Sequence, residues 1–219
     1  MKYVLSYGGG IDSTALMIWL IKNKKPLDYV VFADTGNEIP DTYEYLKTTE
    51  SYLNKTDVQL KIVYPFKKRS LFTRCFQRKI IPSQLWRWCT RDVKVKPIHK
   101  FYKLLNDSIT QYMGIDYDEF YRMKPSGESW IKNEYPLVDN KLGREDCINI
   151  IKNEGLPVPK KSGCFFCPFN NKARWNEIKT NYPALYQLSV DLEQNNKYYP
   201  KQKLIQIQSD LQCDGYCMT

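Results

Sequence analysis

The sequence predicts an α/β protein: a doubly wound parallel sheet with a small Cys-rich C-terminal lobe. Three observations predict it. Short apolar runs alternate with helix-like stretches through the first 65 residues in β-α-β-α-β order, which implies parallel strands with helices on both faces. Three consecutive glycines, Gly8 to Gly10, stand between the first apolar run and the first helix. A C-x-x-C pair, Cys164 and Cys167, lies in a loop-like stretch late in the chain.

Taken in order, "KYVLSY" reads as a buried strand and "DSTALMIWLIKN" as a helix. "DYVVF", Asp28 to Phe32, is a second strand that ends in the polar turn "ADTGNE". "DTYEYLKTTESYLNK" is an amphipathic helix with Thr42, Tyr45, Leu46 and Tyr52 near one face. "VQLKIVYP" is a third strand. From Pro65 to Pro97 the pattern becomes irregular, basic and aromatic. "IHKFYKLLN" reads as a helix, "SITQYMGI" as a strand, and "REDCINIIKNEG" as a helix stopped by Gly155. "LPVPKKSGCFFCPF" is a loop, and "KARWNEIKTNYPALYQLSVDLEQNN" is helical with a break at Pro183. A boundary near residue 140 divides a nucleotide-type core, 1–140, from a Cys-rich, mainly helical lobe, 141–219, packed on it.

The chain has 219 residues, enough to bury a core without staples, and carries 33 Lys+Arg against 24 Asp+Glu. That excess suits a phosphorylated ligand or a polyanionic partner, or simply a Lys-rich solvated surface. No signal-peptide pattern and no apolar run of membrane-span length appears, so a cytoplasmic protein with no membrane partner is expected. In that compartment seven cysteines read as metal ligands or reactive thiols rather than disulfides.

A glycine-rich turn between a strand and a helix is suited to phosphate. Glycine lets the backbone approach the ligand, and the helix N-terminus points free N–H groups at it. Asp12, Ser13 and Thr14 suit the cap and first turn. The loop lacks the Gly-Lys-Ser/Thr of the Walker pattern and the G-x-G-x-x-G spacing of the dinucleotide fold.

"SYGGGIDST" resembles the PP-loop of the ATP pyrophosphatase superfamily, S-G-G-x-D-S, and in particular the sulfonucleotide (PAPS) reductase form S-F-S-G-G-K-D-S-T. Ser6, Gly9, Gly10, Asp12, Ser13 and Thr14 match; Gly8 replaces a Ser, and Ile11 replaces the usual Lys, which removes one phosphate countercharge. "FADTGNEIPDT" resembles the D-T-G-x-x-F-P-E-T segment, "WCTRDVKVKPI" the C-T-x-x-K-x-x-P segment, and "GIDYDEFYRM" the G-x-R-x-x-E-x-x-R segment, of which Arg122 keeps the second Arg. "YPLVDNKLGREDCINII" resembles a further stretch of the same branch. The resemblance spans most of residues 3 to 168 and implies an adenine nucleotide alpha hydrolase-like PP-loop fold.

It also implies a nucleotide site of Ser6, Tyr7, Gly8, Gly9, Gly10, Asp12, Ser13, Thr14, Asp34, Thr35, Gly36, Gly114 and Arg122, with Asp12, Ser13, Lys94 and Arg122 as catalytic groups. The implied ligand is ATP or a sulfonucleotide (PAPS or APS), with Mg²⁺. Chemistry at the α-phosphate calls for backbone N–H groups, Mg²⁺ and basic side chains to meet developing charge, and Arg91 and Lys96 join Lys94 and Arg122 as candidate cations.

Two thiolates in C-x-x-C can bite one metal, and Cys89 and Cys147 could complete a tetrad with Cys164 and Cys167. All-thiolate coordination suits Zn²⁺ and a [4Fe–4S] cluster alike. Related branches, assimilatory APS reductases and DndC-like proteins, carry the cluster, so the resemblance favours it. Cys147 also reads as a buried small hydrophobe beside Ile148 and Ile151, and Cys75 as structural. Cys213 and Cys217 read as a flexible thiol pair or an inert tail, and the single His99 as structural or solvated.

Three functions follow as expectations. The first is a PP-loop enzyme of sulfur transfer or thiolation. Two roles fit the interleaved cations and aromatics of Lys67 to Lys100: holding a tRNA or DNA acceptor, or closing over the nucleotide's own phosphates. A cysteine desulfurase or a thioredoxin-like reductant would serve as its sulfur-side partner. The second is a sulfonucleotide reductase proper. The third is a non-catalytic nucleotide- and zinc-binding subunit of a larger complex.

Overall fold

The computed structural model describes residues 1–65 and 70–198. Five strands form one parallel sheet in the order β3-β2-β1-β4-β5. They are β1 (Lys2–Tyr7), β2 (Tyr29–Ala33), β3 (Gln59–Val63), β4 (Ile109–Met113) and β5 (Ile131–Glu134). β1 is central, pairing Val4 with Tyr29 on one side and with Gln111 on the other. The chain winds outward from β1 to β3 and then returns to place β4 on its other edge. The gap between the C-terminal ends of β1 and β4 is therefore a topological switch point, where ligands of such sheets bind.

The strands read as continuous apolar runs because both faces are covered. Successive residues go to opposite sides: Leu5, Val30 and Phe32 join one cluster, and Val4, Val31 and Ala33 the other. The first face is sealed by α1 (Ile11–Lys22), α2 (Pro40–Leu53) and α6 (Arg144–Asn153). Seven residues of α1 are buried, Ser13 to Ile18 and Leu20, because this helix is enclosed on nearly all sides. α6 packs on α1, so the helical layer of the core continues past residue 140. The second face is covered by α4 (Lys96–Leu104), with Ile98 and Tyr102 against Ile109 and Ile131.

A third cluster builds the lobe from α3 (Leu71–Arg78), α7 (Lys172–Asn181), α8 (Pro183–Gln194) and the loop around Cys164 to Phe166. Within the segment expected to be irregular, α3 forms behind a Ser70 cap that accepts from the Thr73 N–H at 3.2 Å. A π-helical stretch, Thr90–Val95, leads into α4, and a short α5 (Pro136–Asp139) follows β5. β5 was not expected from periodicity: "IKNE" is half-exposed and too polar to announce an edge strand. No helix among the described residues is long and apolar enough to cross a membrane.

Candidate nucleotide and thiol site

The loop after β1 is preformed. The Gly8 N–H donates to Ser13 Oγ at 3.3 Å, Ser13 Oγ donates to the Gly10 carbonyl at 3.2 Å, and Gly10 caps α1. Gly9 has φ +71, a left-handed conformation that favours glycine. Gly114 presses on this turn from β4. A Cβ there would stand 2.7 Å from Ser13 Cα and 2.8 Å from Ser13 N, so no side chain fits.

Arg144, at the start of α6, donates to Asp12 Oδ1 at 2.5 Å. It brings a guanidinium to the first turn of α1, next to Ile11, where the reductase pattern carries Lys. Burial pushes the Asp12 carboxyl above its ordinary range, and Arg144 opposes that rise.

A cavity of about 430 Å³ opens at the C-terminal ends of β1, β2 and β4. Ser6, Tyr7, Gly8, Phe32, Ala33, Met113 and Ile115 form its strand side. Thr90, Arg91, Lys94 and Val95 of the π-helical stretch, with Ile98 and His99 of α4, form the opposite wall. Arg87, Gln111, Arg122, the loop Lys124 to Gly127, Asn133 and Tyr135 close it. Five cationic side chains line it, Arg87, Arg91, Lys94, Arg122 and Lys124, and no described Asp or Glu does. Arg122 is ion-paired with Glu119 just behind the wall. The Arg87 guanidinium lies 4.7 Å over the Phe169 ring, which holds its plane at the rim. An apolar floor with cations at one side suits a base and its phosphates.

Of the residues expected at the nucleotide, Ser6, Tyr7, Gly8, Lys94 and Arg122 line this cavity. The others do not. Gly9, Gly10, Asp12 and Ser13 shape the turn behind it. Thr14 is fully buried, and its hydroxyl pairs at 3.0 Å with that of Tyr7, which also meets Thr49 at 2.8 Å. The Tyr7 and Thr14 hydroxyls are therefore packing groups that tie β1 to α1 and α2. Gly114 is a close-packing position. Asp34 accepts from Tyr43 at 2.8 Å and from the Gly36 N–H at 2.7 Å. Lys96 pairs with Asp92 at 2.7 Å, outside the cavity lining.

His99, expected to be structural or solvated, lines the cavity, and burial lowers its pKa against the pull of Glu128. Arg87 belongs to the basic, aromatic stretch Lys67 to Lys100, whose cations were one alternative for the nucleotide's phosphates, and it lines the cavity. His99, Gln111, Lys124 and Asn133 were absent from the expected site, and nothing local in the sequence sets them apart from solvated neighbours, because they converge only when α4, β4 and β5 pack together.

Thr35 turns away from the cavity and is 1% exposed. Its hydroxyl donates to Glu38 at 3.0 Å and meets Cys164 Sγ at 3.1 Å. Two backbone bonds, Ile39 N–H to the Gly163 carbonyl and Phe165 N–H to the Asn37 carbonyl, both 3.1 Å, zip the turn after β2 to the Cys164 loop. The turn that ends β2 at the cavity floor thus also holds a thiol.

The structure separates the expected thiol tetrad. Cys164, Cys89 and Cys167 belong to the lobe cluster, and Cys75 is buried there with them. Cys147 sits in the other cluster, against α1, because α6 faces the sheet. Cys75 therefore shares the lobe cluster with Cys89, Cys164 and Cys167, and Cys147 does not. Burial and the neighbouring Cys89 push the Cys75 thiol up to about 12. Burial raises Cys164 strongly, and Lys94 pulls against that rise. Among the described residues no three His, Cys, Asp or Glu side chains form a ready metal site as placed. Cys213, Cys217, Lys67, Lys68 and Arg69 lie outside the described residues.

Two uncharacterised proteins of Methanocaldococcus jannaschii are each 27% identical to this chain over 201 residues, 85% and 84% of it. The chain spans 46% and 40% of their lengths, less than half in each case. Among solved structures, a phosphoadenylyl-sulfate (PAPS) reductase from Candida auris in phosphate complex superposes with TM-score 0.56 at 17% identity, covering 75% of this chain and 81% of that one. The U34-tRNA thiolase NcsA from Methanococcus maripaludis, with its [4Fe-4S] cluster, superposes with TM-score 0.57 at 14% identity, covering 94% and 77%. These likenesses carry the fold. Residues 2–129 match the phosphoadenosine phosphosulfate reductase domain, the span that holds the preformed glycine loop and most of the cavity lining, and the chain belongs to that family of the PP-loop superfamily.

Proposed function

We propose that the protein is a PP-loop enzyme that binds an adenine nucleotide in the 430 Å³ cavity and uses it in sulfur transfer. One observation carries the reading: a cavity rich in cations and free of described carboxylates adjoins the turn that grips Cys164. The base lies on the apolar strand ends, Phe32, Ala33, Met113 and Ile115. The phosphates meet Lys94, Arg91, Arg87 and the N–H groups of the glycine loop. An acceptor oxygen attacks the α-phosphorus, AMP is transferred, and pyrophosphate leaves against that positive wall. With Asp12 engaged by Arg144, Mg²⁺ travels with the phosphates. A cytoplasmic location, which keeps thiols reduced, suits this reading, with a cysteine desulfurase or a thioredoxin-like protein as sulfur-side partner and tRNA or DNA as acceptor.

The thiols fit a metal by the chemistry of the donor set. Cys75, Cys89, Cys164 and Cys167 share one apolar cluster, and an all-sulfur set suits a [4Fe–4S] cluster or Zn²⁺. Bound there, a [4Fe–4S] cluster would supply a sulfur-binding, redox-active centre beside the nucleotide. Thr35 holds Cys164 Sγ at 3.1 Å, and Lys94 favours its thiolate against burial and Glu38.

The test is anaerobic purification with iron, sulfide and zinc analysis, followed by calorimetry with ATP, PAPS and APS. About four irons and four sulfides per chain, with ATP bound and pyrophosphate released, are the expected result. Zinc without iron removes the cluster, and sulfite formed from PAPS or APS makes the protein a sulfonucleotide reductase. Binding of ATP without turnover makes it a nucleotide-binding subunit.

A further inference from the structure

Among the described residues, twelve large apolar side chains are exposed, and six of them fall in two short segments. Leu85 and Trp86 directly precede Arg87. Tyr117, Phe120, Tyr121 and Met123 surround Arg122 and lead to Lys124. Arg87, Arg122 and Lys124 line the cavity, so both strips directly adjoin lining residues along the chain. Trp86 is 54% exposed and Phe120 55%. Exposed aromatics concentrated at a cavity mouth mark a contact surface.

Neither strip is loose. Trp86 donates its N–H to Ser83 Oγ at 2.9 Å, and its carbonyl accepts from the Ser83 N–H at 3.3 Å. Tyr117, Phe120 and Tyr121 contact one another ring to ring on the 3-10 helix Tyr117–Arg122, which Asp116 caps. The acidic residues beside these segments are paired: Asp118 with the Arg144 N–H, Glu119 with Arg122, and Asp92 with Arg91 and Lys96, which leaves Arg87 and Lys124 as the cations the two segments contribute to the lining. The rim therefore presents aromatic faces and positive charge.

We propose that the two strips form a stacking clamp for an unpaired stretch of nucleic acid, which enters the cavity mouth between Trp86 and Phe120. Its bases stack on the rings and its phosphates run over Lys124. The inference rests on the reading of the cavity as the nucleotide site, because the acceptor must reach the α-phosphate from this mouth. A duplex is disfavoured, since its bases have no free face to stack.

Fluorescence anisotropy with a labelled single strand of about 12 nucleotides, a duplex of the same sequence and a labelled poly-glutamate tests it, alongside calorimetry with ATP. The single strand binds at least about tenfold more tightly than the duplex. Trp86→Ala and Phe120→Ala each weaken it about 5- to 150-fold and leave ATP affinity unchanged. Lys124→Gln shallows the salt slope by about one. Equal binding of duplex and single strand, with both aromatic variants neutral, overturns the clamp. Tighter binding of poly-glutamate also overturns it and makes the rim a protein-docking surface. Single strands bound without ATP binding would leave the clamp standing and remove the nucleotide reading; ATP bound without single strands would do the reverse.

Discussion

The two sides of this molecule are built on different terms. Under α1 and α6 the packing is apolar and sealed: Leu16, Met17, Ile18, Leu20, Cys147 and Ile151 are fully buried. On the side of the lobe and the π-helical stretch, the cluster mixes rings, thiols and cations: Arg74 over Trp88, Arg87 over Phe169, Cys75 beside Cys89. Phe165 and Phe166 meet edge to face, and buried Trp88 and Trp175 leave their indole N–H groups without a hydrogen-bond partner among the described residues. The first side supplies cohesion. The second gives up some of it to hold polar and reactive groups next to a cavity, as functional sites commonly do.

The largest effect expected from breaking this contrast is on the sealed side. Leu16→Ala removes a fully buried side chain from α1 and costs about 2–5 kcal/mol in denaturant unfolding. Gly114→Ala comes next. Its Cβ meets the Ser13 backbone, so overpacking costs about 1–3 kcal/mol, and the displaced glycine loop weakens ATP binding measured by calorimetry.

The thiols sharpen the contrast. Cys147→Ser and Cys75→Ser each bury an unpaired hydroxyl at about 1–3 kcal/mol, yet only Cys75→Ser lowers bound metal, because Cys147 lies in the other cluster. Equal metal loss in both variants would return Cys147 to the ligand set.

The smallest effect concerns pH. Asp92 is held below the ordinary carboxylate range, first by its hydrogen bond from Lys96 and then by that from Arg91. Its stabilising contribution is complete above that range and fades as the pH falls through the lowered value. Burial raises Asp12, Asp116 and Glu119, so their contribution has the opposite sign: it is complete in acid and fades as the pH rises through their raised values. Asp92→Asn therefore costs less than about 1 kcal/mol near neutrality, as half-open ion pairs do, and flattens the acid limb. Asp12→Asn is neutral or slightly stabilising there. Unfolding curves taken across the acid range separate the two.

The amino-acid sequence by itself determined the strands β1 to β4 and the glycine loop. β1, α1, β2, α2 and β3 lie within a residue or two of where periodicity puts them, since parallel strands covered on both faces must be apolar and a preformed loop needs its glycines. The family motifs marked Ser6, Gly8, Lys94 and Arg122, all of which reach the cavity. Tertiary structure decided the rest. A motif match does not say which way a side chain points: Thr35 and Thr14 belong to matched segments, and both hydroxyls turn into the interior. The separation of Cys147 from Cys89, Cys164 and Cys167 has the same origin. A helical cysteine reads alike whether its face meets a metal or a sheet, and only the packing of α6 on α1 and of α3 on the lobe assigns each to its cluster. Arg87, His99, Gln111 and Lys124 come from separate elements, so no spacing in the chain records their convergence. It follows from the crossing of the chain from β3 to β4, which folds α4 and the aromatic rim over the switch point of the sheet.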